Sequence, residues 1–375
     1  MNFQEQDQFD RLPDALVRLI FNRIHDAKSI CRCKSVSKRF ASIIPEIDTV
    51  FLTIPRRYPI PIKDDHAKES DDRNSKSSSH SLSRNLLKSL INKVITKPLQ
   101  FILQIVTRKS SSSRLFDDEN ELSYHSPNEV LKNFNEIQSL QIELPARGGE
   151  IGSNGDDSLL KWKAEFGSAL KSCLILGATS FPRGAQICND NGKQRRVQEQ
   201  QQPESSSFTD DELKLRVVWT ISCLIAASAR HYLLQQVVSD HAMLQNVVVT
   251  DATKQGKLCM TEEQIEELRS YAKSSVKLDS LERSQVPALK MKLWYVPVLE
   301  LPESGCVMKG ATLVVIRPVD APTGVESDGD LLTGAFDGAE EEKALDDHIY
   351  SFAFELHSVR ADLLVKRPIF EGSGI

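Results

Sequence analysis

The densest apolar patterning in this chain lies near its N-terminus, where Leu16, Val17, Leu19, Ile20, Phe21 and Ile24 crowd one short helical stretch. At about 100° per residue these side chains cover roughly 200° of helix surface, about twice the stripe an amphipathic helix needs. Pro13 suits a first helical turn, where its missing N–H costs nothing, and Asp14 suits the same end. A helical module of ~45 residues buries too little surface to enclose both sides of such a helix. One side is therefore expected to face the module's own core and the other a second protein.

Further along, alternating or β-branched runs predict strands over 49–54, 137–144, 172–177, 244–250, 289–296, 311–316 and 349–356. Helical spacing predicts helices over 128–134, 162–170, 209–238 and 261–273. Thr209 with Glu212, and Thr261 with Gln264, read as capping boxes. Strands and helices alternate, so the fold class expected is mixed α/β with largely parallel strands. The segments 137–144, 170–176 and 244–249 loosely resemble leucine-rich repeats, but their spacing is unequal and the Asn/Cys position is missing.

Polar tracts divide the chain. The expected organisation is a flexible N-terminus at 1–8, a helical module at 9–48 and an α/β recognition unit at 49–375. Disordered or mobile inserts are expected at 63–126, 184–208 and 320–347. Within the first insert, 84–109 is basic and amphipathic: Leu86, Leu87, Leu90, Ile91, Val94 and Ile95 fall in pairs three to four residues apart. No acidic residue lies between Arg73 and Leu115. Such a stretch can pack on the main domain, or bind an anionic membrane surface or a calmodulin-like groove. The acidic cluster Glu340, Glu341, Glu342, Asp346 and Asp347 reads as a solvated loop.

Bulk properties narrow the function without naming it. The 375 residues carry a net charge of −5, with no global basic field for nucleic acid. Seven cysteines, none in a C-x-x-C pair, suit reduced thiols in the nucleus or cytoplasm better than a disulfide scaffold. The N-terminus lacks the pattern of a signal peptide, and the apolar run 217–229 is too short to span a bilayer, so it is expected to be a buried helix. Cys31 and Cys33 would point about 200° apart on a helix, which suits packing better than a shared metal. His231 and His241 read as partly buried helix residues. The glycine-rich 150–155 stretch lacks the strand and helix of a phosphate cradle, and neither H-E-x-x-H nor G-x-S-x-G occurs. No catalytic residue, cofactor or metal is expected.

The N-terminal residues resemble an F-box. Leu12-Pro13 is the opening; Leu16, Ile20 and Ile24 are the aliphatics at fourth-residue spacing; Asp26 to Ser29 is the break. Ile30 and Cys33 fall on the second helix, and Val36, Lys38, Arg39 and Phe40 form the closing signature, with Phe40 where Trp is common. The resemblance implies a three-helix module docking a Skp-family adaptor, and through it a cullin and a RING protein. Leu12, Pro13, Leu16, Ile20, Ile24, Ile30 and Val36 would bury against the adaptor, with Phe40 closing the module. It implies a non-catalytic substrate-recognition subunit of an SCF-type ubiquitin ligase, directing target proteins to ubiquitination and proteasomal degradation. The alternative is a peripheral membrane or calmodulin-binding module acting through 84–109. The residues of 293–302 and 305–318 are similar to a plant F-box subfamily described as auxin-up-regulated, as is Lys97-Pro98-Leu99-Gln100, which points to hormone signalling.

Overall fold

Local capping chemistry sets the N-terminal helices in the computed structural model. Helix α1 (Asp14–Ile24) starts directly after Pro13 and stops at His25, whose φ of 58° turns the chain back. Asp26 caps α2 (Ala27–Lys34) by accepting the Ser29 N–H at 2.9 Å. Ser37 caps α3 (Lys38–Ile43) by accepting the Phe40 N–H at 3.1 Å. Each oxygen satisfies a donor that a helix start leaves open. The structure describes residues 8–54, 127–145, 158–181, 209–275, 288–320, 332, 334–336, 340, 341, 343–345 and 354–359. The basic stretch 84–109 and the insert 184–208 lie outside the described residues.

The rest of the described chain forms one mixed sheet. Its strands are β1 (Thr49–Thr53), β2 (Ser139–Leu144), β3 (Leu159–Phe166), β4 (Leu170–Ala178), β5 (Asn246–Asp251), β6 (Gly256–Met260), β7 (Leu289–Glu300), β8 (Val307–Pro318) and β9 (Phe354–Val359). Short α4 (Pro127–Leu131), long α5 (Asp210–Asp240) and α6 (Glu262–Ser275) complete the order. Across the sheet the strands run β1-β2-β5-β6-β3-β4-β8-β7-β9. Only β1–β2, β2–β5 and β3–β6 are parallel; the other pairs are antiparallel. This corrects the expectation of largely parallel strands. The reason is loop length: β3 meets β4 and β5 meets β6 through connections far shorter than the dozen or so residues a parallel crossover needs. The repeat-like segments do not stack either. β2 and β5 are neighbours, but β4 lies three places beyond β5.

Two elements escaped the periodicity. Residues 162–170, expected as a helix, hold most of β3, where Leu160, Trp162, Ala164 and Phe166 are buried and Lys161, Lys163 and Glu165 are not. That alternation is the strand period. β6 is five residues long, too short for a periodic signal to stand out.

The central strands are apolar on both faces because both faces are covered. Cys173 and Ile175 of β4, with Val314 and Ile316 of β8, join the helix-side core. Leu174, Leu176, Leu313 and Val315 point the other way, into a second core closed by Leu332, Ala335, Phe336, Ala344 and Leu345. Those five lie within the stretch 320–347, expected as a mobile insert. Its acidic part is not simply solvated: Glu340 Oε1 accepts the Glu303 and Ser304 N–H groups, both at 2.6 Å, and buried Glu341 pairs with Lys161 at 3.3 Å.

Helix α5 has the capping box expected of it: Thr209 Oγ1 accepts the Glu212 N–H at 3.3 Å and Glu212 Oε2 accepts the Thr209 N–H at 3.1 Å. By length and composition alone this helix could cross a membrane, yet 56% of its most apolar window is buried inside the fold. It lies against β3, β4 and β6, with Trp219, Cys223, Ala227, Leu234 and Val238 in the helix-side core. Gly177 permits the approach, since a Cβ there would sit 2.4 Å from the Trp219 ring. Arg230 reaches Asp251 on β5 at 2.6 Å and stacks over Trp162 at 4.4 Å. Burial alone would raise the Asp251 carboxyl, but the guanidinium and the hydrogen bonds from Thr253, Arg230 and Gln255 hold it below the usual value.

Candidate docking interface

Helix α1 is divided lengthwise. Val17 and Phe21 are buried at 1% and 4% exposure, while Leu16, Leu19, Ile20 and Ile24 are 46%, 54%, 38% and 40% exposed. The inward pair sits one turn apart, and the outward four recur at three- and four-residue spacing, so each set makes its own face. The roughly 200° apolar arc of the sequence is thus two adjoining stripes, one turned inward and one outward.

The start of α1 is fixed from α3. Arg39 Nε donates to Asp14 Oδ1 at 2.8 Å, its Nη1 donates to the Phe9 carbonyl at 2.7 Å, and its Nη2 donates to the Leu12 carbonyl. Phe40 packs edge-on against Phe21 at 5.2 Å and Phe9 at 5.8 Å. Sequence reasoning placed Arg39 in a signature without a role; the structure shows it holding the Leu12-Pro13 corner.

The residues expected at the adaptor fall into three groups. Pro13, Leu16, Ile20, Ile24 and Val36 are exposed, Val36 at 71%. Leu12 and Phe40 are half-buried against the helix-side core. Ile30 is 0% exposed and belongs to that core, so its expected place on the docking side is corrected. Its position follows from α2 being sandwiched between α1 and the strand-bearing part of the chain. Leu19 and Phe9, at 54% and 45% exposure, extend the outward apolar surface and were missed. Leu19 could have been found from its three-residue spacing to Leu16. Arg11, Arg23, Arg32 and Lys38 are exposed on the same three-helix module, so its surface mixes apolar and cationic groups.

The module is joined to the sheet rather than tethered to it. Phe51 N–H donates to the His25 carbonyl at 2.7 Å, and Lys34 Nζ donates to Asn133 Oδ1 at 3.0 Å. The Pro45 carbonyl accepts the N–H groups of Asn135 and Glu136 at 2.8 and 3.3 Å. Ala27, Ile30, Ile44 and Ile47 share one core with Val130, Leu131, Phe134 and Ile137.

The remaining candidates are structural. Among the described residues no group of three or more His, Cys, Asp or Glu is placed to hold a metal. Cys31 and Cys33 are free and half-buried. Burial pushes the Cys173 thiol up to about 12 and Cys223 well above its ordinary value, which keeps both protonated. His231 is buried; it stacks on Phe166 at 4.5 Å and lies 2.9 Å from the Gly167 carbonyl through Nε2. That oxygen can only accept, so Nε2 carries the proton. His241 is buried at the end of α5.

A helical module with a two-sided first helix presenting an exposed aliphatic stripe defines a protein-docking domain. Residues 9–48 match the F-box domain model. F-box protein At5g46170 of Arabidopsis thaliana is 43% identical over 370 residues, covering 89% of this chain and 89% of its own length. F-box protein At4g18380 of the same plant is 42% identical over 386 residues, covering 98% of this chain and 93% of its own. F-box protein AUF2, also from Arabidopsis thaliana, is 33% identical over 335 residues, covering 88% and 92%. No solved structure matches this chain. The chain belongs to the F-box proteins. Members of that family are generally adaptor subunits of ubiquitin ligases rather than catalysts, and their F-box generally binds Skp-type adaptors within SCF complexes.

Proposed function

We propose that this protein is the substrate-recognition subunit of an SCF-type ubiquitin ligase, acting in the nucleus or cytoplasm and delivering target proteins for ubiquitination and degradation. The observation that supports it most is the exposed stripe Leu16, Leu19, Ile20 and Ile24 on a helix whose opposite side already fills the core. Such a stripe is expensive to leave in water and is stabilised by covering it with a partner. The contribution to ubiquitin transfer is proximity: one polypeptide holding both adaptor and target raises their effective concentration.

The test is a double substitution, Leu16→Ala with Ile20→Ala. Both side chains are outward, so the fold is expected to stand. Each large side chain buried at an interface contributes ~1.5–3 kcal/mol, so adaptor affinity should fall by a hundredfold or more. Co-purification with a Skp-type adaptor measures this, and undiminished recovery would remove the assignment. The hormone-signalling reading rests on the resemblance of 293–318 to the auxin-up-regulated subfamily. Comparing proteins stabilised in plants lacking the chain, with and without auxin, tests it; a hormone-independent set would overturn it.

A further inference from the structure

The exposed stripe of α1 has its head outside the helix. Pro13 is exposed and stands three residues before Leu16, which precedes Ile20 and Ile24 at four-residue steps, so it opens the same row. Phe9, 45% exposed, and half-buried Leu12 lie just before it. This arm has little structure of its own: one 3-10 turn, Gln8–Arg11, after which the Leu12 N–H donates to the Phe9 carbonyl at 3.1 Å. A short arm of that kind frays unless a distant part of the chain ties it down. Arg39 of α3 is the tie. Its Nε and Nη2 both reach Asp14 Oδ1, at 2.8 and 2.7 Å, its Nη1 donates to the Phe9 carbonyl at 2.7 Å, and its Nη2 also donates to the Leu12 carbonyl. One planar fork thus fixes the arm at two carbonyls and the helix at its first residue, which a single ammonium cannot do. Phe40, the next residue, adds its edge-on contact with the Phe9 ring.

We propose that Arg39 is a positioning residue for adaptor docking, holding Phe9, Leu12 and Pro13 in the shape that the adaptor meets. This rests on reading the α1 stripe as the adaptor's seat. The contacts of Arg39 lie apart from the packing that keeps α1 on α3. That packing is Val17, Phe21 and Ile43 in the helix-side core, whereas the Asp14 side chain is 66% exposed and the two carbonyls belong to the arm. Removing the guanidinium therefore loosens the arm and leaves the core in place. Asp14 keeps water and the start of α1 as its surroundings, so no buried charge is stranded. An arm ordered beforehand loses no further freedom when the adaptor binds. Without the clamp, apparent affinity falls by the fraction of time the arm spends in the docking shape.

The test uses full-length chains, variant and parent under different tags, competing for a limiting Skp-type adaptor. Arg39→Met should bind about ten- to a hundredfold more weakly, and Arg39→Lys should recover little of the loss. A double-mutant cycle separates positioning from general weakening. Combined with Leu12→Ala and Pro13→Ala, Arg39→Met should add almost nothing, because the corner it holds is already gone. Combined with Ile24→Ala, at the far end of the stripe, the two losses should multiply. In hydrogen exchange, amides 9–12 of Arg39→Met should exchange at least about tenfold faster, with α2, β2 and the thermal midpoint unmoved. Parental affinity in Arg39→Met overturns the proposal, as do losses that multiply with the corner variant. A thermal midpoint lowered by both Arg39→Met and Arg39→Lys makes the residue a brace of the fold and overturns it too. Leu16→Ala with Ile20→Ala is the control. If that variant keeps the adaptor, the docking reading itself fails; if it loses the adaptor while Arg39→Met does not, only the clamp fails.

Discussion

At the residue scale, burial separates side chains that look alike in sequence. Ile20 and Ile30 are both aliphatics of the N-terminal pattern, yet one is 38% exposed and the other 0%. Ile30→Ala should therefore destabilise the fold by about 2–5 kcal/mol, as large-to-small core changes do, whereas Leu16→Ala with Ile20→Ala should leave the thermal midpoint close to that of the parent. Thermal unfolding of the two variants side by side checks the contrast. His231 gives a pH signature. Burial lowers its pKa below the ordinary 6.5, and the Gly167 carbonyl only partly opposes that. Below that ordinary value the unfolded chain binds a proton that the folded chain resists. The associated stability is present above 6.5 and is lost as pH falls through the lower folded value. His231→Phe, which keeps the stack on Phe166, should flatten the decline between about pH 7.5 and about pH 5.5 in denaturant titrations. His241 is shifted in the same direction by burial, so some slope should remain.

At the element scale, caps were legible and packing partners were not. The Thr209 box stands where the sequence placed it, and at Thr261 the Gln264 side chain accepts the Thr261 N–H at 2.9 Å; the caps at Asp26 and Ser37 are equally local, although the sequence reading did not name them. A cap is a contact over three residues, and short-range contacts survive in the linear order. The other end of α5 shows the converse. Arg269 of α6 donates from Nη2 to the carbonyls of His241 at 2.7 Å and Leu244 at 3.2 Å, and from Nε to Val238 at 3.4 Å. No local pattern links residue 269 to a helix that ended some thirty positions earlier. Arg269→Met should cost about 2 kcal/mol, because charged hydrogen bonds to half-buried carbonyls are lost, and Arg269→Lys should recover little of it, since one ammonium cannot replace the fork. Thermal denaturation of both variants measures this. The strand β3 was misread for a related reason: the window 162–170 runs past its end at Phe166, and the partner that fixes it as a strand, Gly256 beside Trp162, is far away in the chain.

At the scale of the whole molecule, the F-box and the sheet share one hydrophobic core. The outward stripe of α1 and the sheet are consequently held in one orientation, with Lys34–Asn133 and His25–Phe51 hydrogen bonds across the join. Hydrogen exchange in rising denaturant should give peptides from α2 and β2 a common midpoint, as one cooperative unit requires. Earlier melting of α1–α3 would instead mark the module as separable. Deleting 9–48 should leave Val130, Leu131, Phe134 and Ile137 without cover, and the remaining chain is expected to aggregate; its yield in the soluble fraction decides.

The sequence by itself determined the family, the two-sided first helix, the starts of the two longest helices and most of the strands, because these depend on spacings of a few residues. It also determined that part of the apolar surface had to find a partner outside the module, since more was present than the module could cover. Only the tertiary structure decided which apolar residues those were. Ile30 went inward because α2 is closed over by α4 and β1, elements that follow it in the chain, while Leu19 of α1 was left outward. The mixed sheet order, the second core built on Leu332, Phe336 and Leu345, and the joining of module to sheet were likewise settled by long-range burial. Burial sums over the whole chain, and no window along it holds the sum.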